Sequence, residues 1–174
     1  MLGQPREQLD ERFRELYDRT YSRICSFVLR RVVGDDEARD IVGDTYMTVW
    51  RRMRDVPTDH IQADAWVFAT ARRVIANHRR SRDRRHRLTE RLASHRRVDV
   101  TIDIDGPDLV LHALADLPLR YREVLQLALW DELSYPQIAT VLGCSEAAVG
   151  TRLHRARAAL RTRYEALVAE GGDA

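Results

Sequence analysis

The sequence predicts an all-α protein of two small helical domains joined by a flexible acidic linker. The chain has 174 residues, enough for one or two small domains. Its 8 Gly and 5 Pro are few, which favours long helices over a turn-rich β fold. Apolar residues repeat at helical spacing on both sides of one acidic segment. We therefore place the domains at residues 8–93 and 108–167, with the linker at 94–107.

The first domain is predicted to begin with two helices. Apolar side chains repeat at three- and four-residue steps over residues 8–32, which indicates the first helix. Gly34 ends this helix, and Asp35 is predicted to cap a second helix that continues to about Met53. The apolar stripe predicted for the second helix is Ala38, Ile41, Val42, Thr45, Tyr46, Val49 and Met53.

A basic third helix is predicted over residues 65–82, after a loop over residues 54–64 that shows no clear period. The window Arg72–Arg97 holds 11 Arg against two acidic residues, a charge of +9 on a chain of only +2. A local basic block on a nearly neutral chain is typical of nucleic-acid contact. For residues 82–97, a solvated basic tail is the alternative.

The acidic linker includes the segment VDVTIDID, in which apolar and polar residues alternate. This alternation also permits a strand, but a single strand has no partner here, so an extended tether is favoured. Two further helices are predicted over about 108–116 and up to about 130, with a break at Leu117-Pro118.

Residues 134–157 are predicted to form a helix-turn-helix. Ser134 and Gln137 have the spacing of a capping box, and Gly143 stands where a left-handed residue ends the first helix. Ser145 is predicted to cap the second helix, which has one apolar and one Arg-rich face. Such a helix suits the major groove of DNA. A helical hairpin with a solvated basic face is the alternative.

Other classes of protein are disfavoured by what the sequence lacks. Cys25 and Cys144 stand apart without a CxxC motif, so we predict neither a metal site nor a cofactor. Asp40, Asp44 and His78 could suggest a nuclease or hydrolase, but no third ligand, phosphate loop or nucleophile motif accompanies them, so we do not expect an enzyme. No apolar run reaches the length of a membrane span, and we expect a cytoplasmic protein.

A conventional activator or repressor is the nearest rival. Such a protein would bind duplex DNA alone, as a dimer. The chain offers no recognisable ligand-binding domain, and its basic third helix predicts a second nucleic-acid surface in the N-terminal half.

Three segments of the chain carry a family resemblance, and they occur in this order: DDEARDIVGDTYMTVWRR, AWVFATARRVIANHRRSRDRR and LADLPLRYREVLQLALWDELSYPQIATVLGCSEAAVGTRLHRARAAL. They resemble region 2.2, regions 2.3 and 2.4, and region 4 of bacterial sigma-70 family sigma factors of the extracytoplasmic-function (ECF) group, which keep only domains 2 and 4. The resemblance covers nearly the whole chain and implies a non-enzymatic subunit of RNA polymerase that directs transcription initiation at promoters.

The resemblance implies that the second helix docks on the β′ clamp of core RNA polymerase and that domain 4 meets the β flap. Gly43 stands where the family usually has Gln. For Ile41, Val42 and Val49, ordinary core packing is the alternative. The positions that match the docking residues of the family are Asp40, Ile41, Val42, Asp44, Thr45, Val49 and Trp50.

The resemblance further implies that promoter DNA is bound in two forms. The −10 element would be captured as a single strand, which needs cationic grooves and stacking planes, although packing is favoured for Trp66. Arg73 replaces a frequent Asn. The positions matching the −10 site are Trp66, Arg72, Arg73, Asn77, Arg79 and Arg80.

The −35 element would be bound as a duplex in the major groove. Gly150 replaces the usual Lys of the family, and it either permits close approach to DNA or is simply tolerated. The −35 candidates are Glu146, Ala147, Thr151, Arg152, Arg155 and Arg157.

The resemblance also makes an anti-sigma factor a plausible partner, since many relatives are held inactive by one. Control by synthesis alone is the alternative.

Overall fold

The computed structural model describes residues 6–90 and 109–171, and these residues form seven α-helices and no strand. The chain divides into two compact units, residues 1–100 and 101–174. Both findings confirm the predicted all-α fold with two domains. The predicted linker, residues 94–107, lies outside the described residues. The helices are α1 (Arg6–Leu29), α2 (Asp35–Arg51), α3 (His60–Glu90), α4 (Leu109–Ala115), α5 (Leu119–Leu129), α6 (Tyr135–Leu142) and α7 (Glu146–Gly171).

The first unit is a three-helix bundle in which each of α1, α2 and α3 packs against the other two. Phe27 of α1 and Phe68 of α3 meet edge to face at its centre, with ring centroids 5.3 Å apart. Both side chains are fully buried, and such a residue contributes about 1.5–3 kcal/mol by leaving water. The stripe predicted for α2 is buried in full and faces this core.

The boundary between α1 and α2 differs from the prediction. The first helix ends at Leu29, and Gly34 rather than Asp35 is the N-cap residue of α2, with a positive φ of 99°. The predicted cap by Asp35 is therefore wrong, because Asp35 is already helical. Asp35 lies in the first turn with two further acidic residues, where negative charge favours the positive end of the helix dipole.

The third helix is longer than predicted at both ends. It begins at His60 because the carboxylate of Asp59 accepts a hydrogen bond from the backbone N–H of Gln62 at 2.9 Å, as an N-cap residue does. The prediction of a loop over residues 54–64 is therefore wrong for residues 60–64, which are helical. At the other end, Arg82 pairs with Glu37 of α2 at 3.2 Å and supports the helix beyond its apolar stripe.

The second unit is built around α7, against which α4, α5 and α6 all pack. Val149, Leu153 and Ala156 are fully buried on the inner face of α7, as predicted, whereas Leu160 is only half-buried. Ile138 of α6 is fully buried with them. These contacts fix the orientation of α7 and leave its opposite face in solvent.

The helix-turn-helix prediction is confirmed in its local detail. Gln137 Oε1 accepts from the backbone N–H of Ser134 at 2.9 Å, and the capping box is complete. Gly143 ends α6 in the left-handed region, with φ 66°. The hydroxyl of Ser145 accepts from the backbone N–H of Ala148 at 3.2 Å and caps α7.

Candidate nucleic-acid and partner interfaces

The outer face of α7 carries most of the residues predicted to contact duplex DNA. Ala147, Thr151 and Arg155 follow one another at four-residue steps, and all three are exposed. Residues four apart lie above one another on a helix, so these side chains form one row opposite the buried row. The Thr151 hydroxyl donates to the carbonyl of Ala147 at 3.0 Å, which holds its side chain against the helix. Glu146 and Arg157 are exposed on one flank of the row.

A groove of about 460 Å³ borders the other flank of this row. Arg152 is half-buried and lines this groove, so this predicted residue lies at the edge of the exposed row rather than at its centre. Arg120 of α5 also lines the groove, is exposed, and lies over the ring of Tyr121 at 4.9 Å. Three arginines therefore surround one groove. Arg120 was missed in the sequence because nothing in α5 predicts that its first turn approaches α7.

On α3, four of the six predicted −10 residues share one face. Trp66, Arg73, Asn77 and Arg80 are separated by steps of seven, four and three residues, which are whole turns of an α-helix. The last three are exposed, and Arg80 donates to the side-chain oxygen of Asn77 at 2.5 Å. The guanidinium of Arg52 lies over the Trp66 ring at 5.6 Å, so one face of this half-buried indole is already covered.

The other two predicted −10 residues lie elsewhere on α3. Arg72 and Arg79 are seven residues apart, are half-buried, and lie on the side of α3 away from Asn77. Arg79 donates through Nη2 to the backbone carbonyl of Arg31 at 2.6 Å, just beyond the end of α1. At least part of the Arg79 guanidinium is therefore committed to the fold.

The predicted polymerase-docking residues of α2 divide between core and surface. Ile41, Thr45 and Val49 have no exposed surface, and Val42 is buried with 8% exposed, so all four belong mainly to the core. For Ile41, Val42 and Val49 this is the core packing named as the alternative. The residues left on the surface are Asp40, Asp44 and Trp50.

The surface side of α2 combines acidic and apolar groups. Asp40 and Asp44 are exposed one turn apart, and Met47 continues the row with half of its side chain exposed. Trp50 is partly exposed and packs edge to face on Phe13 of α1, with ring centroids 5.2 Å apart. Gly43 adds no side chain beside them, and nothing lies within 4 Å of the Cβ that another residue would place there.

The same surface borders an open groove of about 830 Å³ between α2 and α3. Asp44 accepts a hydrogen bond across it from Nε2 of His78, at 2.8 Å. This bond joins a predicted docking residue to a helix that carries predicted DNA contacts, and the sequence did not predict it. The other lining residues are Met47, Thr48, Arg51, Val74, Asn77, Ser81 and Arg84.

Residues 6–90 and 109–171 contain neither a cluster of metal-binding side chains nor a membrane-spanning helix. No group of three or more His, Cys, Asp or Glu in these ranges is placed to hold a metal ion. Nor does any helix there have the length and apolar character needed to cross a membrane.

Comparisons with known proteins match both units. The family model for Sigma-70 region 2 matches residues 16–85, and that for Sigma-70, region 4 matches residues 108–160. ECF RNA polymerase sigma factor SigL of Mycobacterium tuberculosis is 31% identical over 169 residues, with 88% of this chain and 89% of SigL covered. RNA polymerase sigma factor YlaC of Bacillus subtilis is 29% identical over 157 residues, with 84% of this chain and 88% of YlaC covered.

Two solved structures are similar over most of the chain. One is the sigma factor RpoE in complex with the anti-sigma factor NepR from Bartonella quintana, with a TM-score of 0.66, 22% identity and coverage of 89% of this chain and 98% of the other. The second is CnrH in complex with the cytosolic domain of CnrY, with a TM-score of 0.61, 25% identity and coverage of 90% of each chain.

Proposed function

The chain belongs to the ECF group of the sigma-70 family of RNA polymerase sigma factors, and from this premise we propose a division of DNA binding between its two units. The second unit binds the −35 element as duplex, and the first unit captures the −10 element as a single strand. The protein has no catalytic activity of its own. It supplies promoter specificity to core RNA polymerase.

The exposed row on α7 supports −35 recognition and is the main evidence for the proposed function. Residues near the start of a recognition helix meet base edges in the major groove, and later cations hold phosphates. Ala147 and Thr151 occupy the early positions with short side chains that permit close approach. Arg152 and Arg155 follow and can bind guanine or phosphate. Arg120, across the groove, adds a cation for the backbone.

The exposed face of α3 supports capture of the −10 strand. Single-stranded DNA is held by cations along its backbone and by flat groups on which bases stack. Arg73 and Arg80 supply exposed cations, and Asn77 between them offers both a donor and an acceptor to a base edge. Trp66 presents at most one indole face, because Arg52 lies over the ring. Arg79 contributes mainly to the fold, because its guanidinium binds the backbone carbonyl of Arg31.

The surface side of α2 is the proposed docking site for the β′ clamp of core polymerase. Asp40 and Asp44 complement a basic helical partner, and Met47 and Trp50 add apolar area beside them. Further contacts with the β flap are proposed for the second unit.

An anti-sigma factor is a further partner that we propose. RpoE, which is similar in fold, was solved with the anti-sigma factor NepR. Such a partner would act by covering the docking or DNA-binding surfaces. Control by synthesis alone is the competing hypothesis, and co-purification of a stoichiometric partner from the native cell decides between them.

Run-off transcription tests the proposed function. Purified core polymerase is combined with the protein on a library of genomic fragments, and RNA 5′ ends are mapped. New start sites that share two upstream elements are expected. Core polymerase starting no additional RNA on any fragment would overturn the proposal. Tight binding to duplex promoter DNA in a gel shift without polymerase would instead favour a conventional activator or repressor.

A further inference from the structure

We propose that His78 is a positioning residue for polymerase docking: it holds the Asp44 carboxylate ready for the partner. This inference rests on the proposed docking site on α2. It extends that site to α3, which otherwise supplies DNA contacts.

The geometry is that of an oriented acceptor. Nε2 of His78 lies 2.8 Å from Oδ2 of Asp44, across 34 residues of sequence. Because a carboxylate can only accept, the ring must carry a proton on Nε2. The Asp44 side chain is 62% exposed and that of His78 only 27%, so the imidazole supports the carboxylate from the protein side while solvent reaches the rest of it.

Holding Asp44 in place favours binding for an entropic reason. A free Asp side chain on an exposed helix turn samples several rotamers and loses that freedom when a partner binds it. The bond to His78 imposes part of this loss already in the free protein. A docking partner therefore meets a carboxylate that needs less rearrangement.

An ion pair between the same helices provides a matched control. Arg82 Nη1 and Glu37 Oε2 are 3.2 Å apart, and both side chains are about three-quarters buried, with 28% and 25% exposed. This pair also ties α3 to α2, but it contains none of the proposed docking residues. Loss of either pair should lower the stability of the bundle slightly. Only loss of His78 should also weaken polymerase binding, because it acts through Asp44.

The test is a double-mutant cycle on affinity for core polymerase, measured by competition with a labelled sigma factor. Asp44→Ala is expected to weaken binding about tenfold, and His78→Ala about three- to tenfold. The double variant should bind no more weakly than Asp44→Ala alone, because His78 acts through Asp44. His78→Gln, which keeps a side-chain donor, should recover most of the affinity, and Arg82→Ala should bind like the original protein. Urea unfolding of each variant establishes that it is folded.

Four outcomes would overturn the inference. Losses that multiply in the double variant would mean that His78 acts independently of Asp44. An equal loss for Arg82→Ala would mean that general helix packing is responsible. If His78→Ala binds core polymerase normally while Asp44→Ala binds it more weakly, the inference is wrong but the proposed docking site stands. If Asp44→Ala itself binds normally, the proposed docking site fails, and the inference fails with it.

Discussion

Arg19 donates its Nε–H to Oδ1 of Asp64 at 2.8 Å, and this ion pair joins α1 to the first turns of α3. The Asp64 side chain is only 11% exposed, whereas that of Arg19 is 33% exposed. Arg23 approaches the other carboxylate oxygen at 3.7 Å. A nearly buried carboxylate thus depends on two cations of α1, and its loss would leave them without their common partner.

Replacement of Asp64 by Ala is expected to lower the free energy of unfolding by about 1–3 kcal/mol, because it removes a charge-assisted hydrogen bond to a nearly buried carboxylate. Urea unfolding measures this change. The control is Asp36→Ala, since Asp36 is 98% exposed and pairs with Arg39 on the surface. Equal effects of the two substitutions would contradict a structural role for Asp64.

Replacement of Gly150 by Ala is expected to stabilise the protein by about 0.5–1 kcal/mol, because Gly costs this much inside a helix. The new Cβ would lie 3.6 Å from Tyr135 Cε2, an ordinary contact. Gly143→Ala should have the opposite sign, because φ at Gly143 is +66°. Thermal unfolding compares the two variants, and destabilisation by Gly150→Ala would mean that α7 needs glycine there.

Gly150→Lys is expected to strengthen −35 binding by adding a cation on α7. The affinity of the holoenzyme for promoter fragments should rise, and its salt dependence should steepen by about one unit, because one more phosphate is neutralised. Gly150→Gln, similar in length but uncharged, is the control. If Lys and Gln act alike, no phosphate lies within reach of position 150.

Arg79→Ala is expected to lower the stability of the protein, whereas Arg80→Ala is expected to slow opening of the promoter DNA. Arg79 binds the backbone carbonyl of Arg31, so its loss is expected to cost about 1–2 kcal/mol of stability. Arg80 is exposed, so its loss should leave stability unchanged within about 0.5 kcal/mol and slow strand opening. Urea unfolding and permanganate footprinting of open complexes separate the two effects. Equal stability losses would contradict the assignment of Arg79 to the fold.

The double replacement of Arg152 and Arg155 by Ala is expected to weaken −35-dependent transcription by tenfold or more, since base or phosphate contacts contribute about 1–3 kcal/mol each. Affinity for core polymerase should not change. Arg161→Ala is the control, because Arg161 is exposed on the same helix beyond the proposed contacts. Weaker core binding by the double variant would mean that these two arginines contact the polymerase rather than only the DNA.

Alkaline pH should destabilise the first unit through Tyr46. Burial raises the pKa of Tyr46, whose hydroxyl is bonded to Thr20 at 2.9 Å. Above pH 10, the ordinary pKa of Tyr, the unfolded chain loses this proton while the folded protein keeps it, so stability falls as the pH rises. Tyr46→Phe should lessen that fall in urea unfolding at pH 9 to 11. An unchanged slope would exclude Tyr46 as its source.

Local signals made the helix-turn-helix predictable from sequence. The caps at Ser134, Gly143 and Ser145 each depend on residues within a few positions, and all three are as expected. The start of α3 carries a similar local signal, because Asp59 can cap a helix through the backbone N–H of Gln62. The cap of α2 was misassigned by one residue because acidic residues are equally favourable at the cap and in the first turn.

The candidate surfaces were less predictable, because they depend on how helices pack. The apolar stripe of α2 already predicts that Ile41 is buried, but it does not predict which side chain of another helix lies beside the exposed Asp44. The Arg79–Arg31 and His78–Asp44 bonds span 48 and 34 residues, and no local rule predicts them. For the same reason, the sequence alone does not identify Arg120 as a candidate, because its position near the DNA-binding row depends on how α5 packs against α7.

The separation of inner and outer rows on α7 has an evolutionary consequence. Val149, Leu153 and Ala156 maintain the fold, and Ala147, Thr151 and Arg155 take no part in that core. Exposed positions usually accept substitution within about 0.5 kcal/mol of the original stability. Under the proposed role of this row in −35 recognition, a duplicated copy could therefore change its −35 preference through the outer row alone, without passing through poorly folded ancestors.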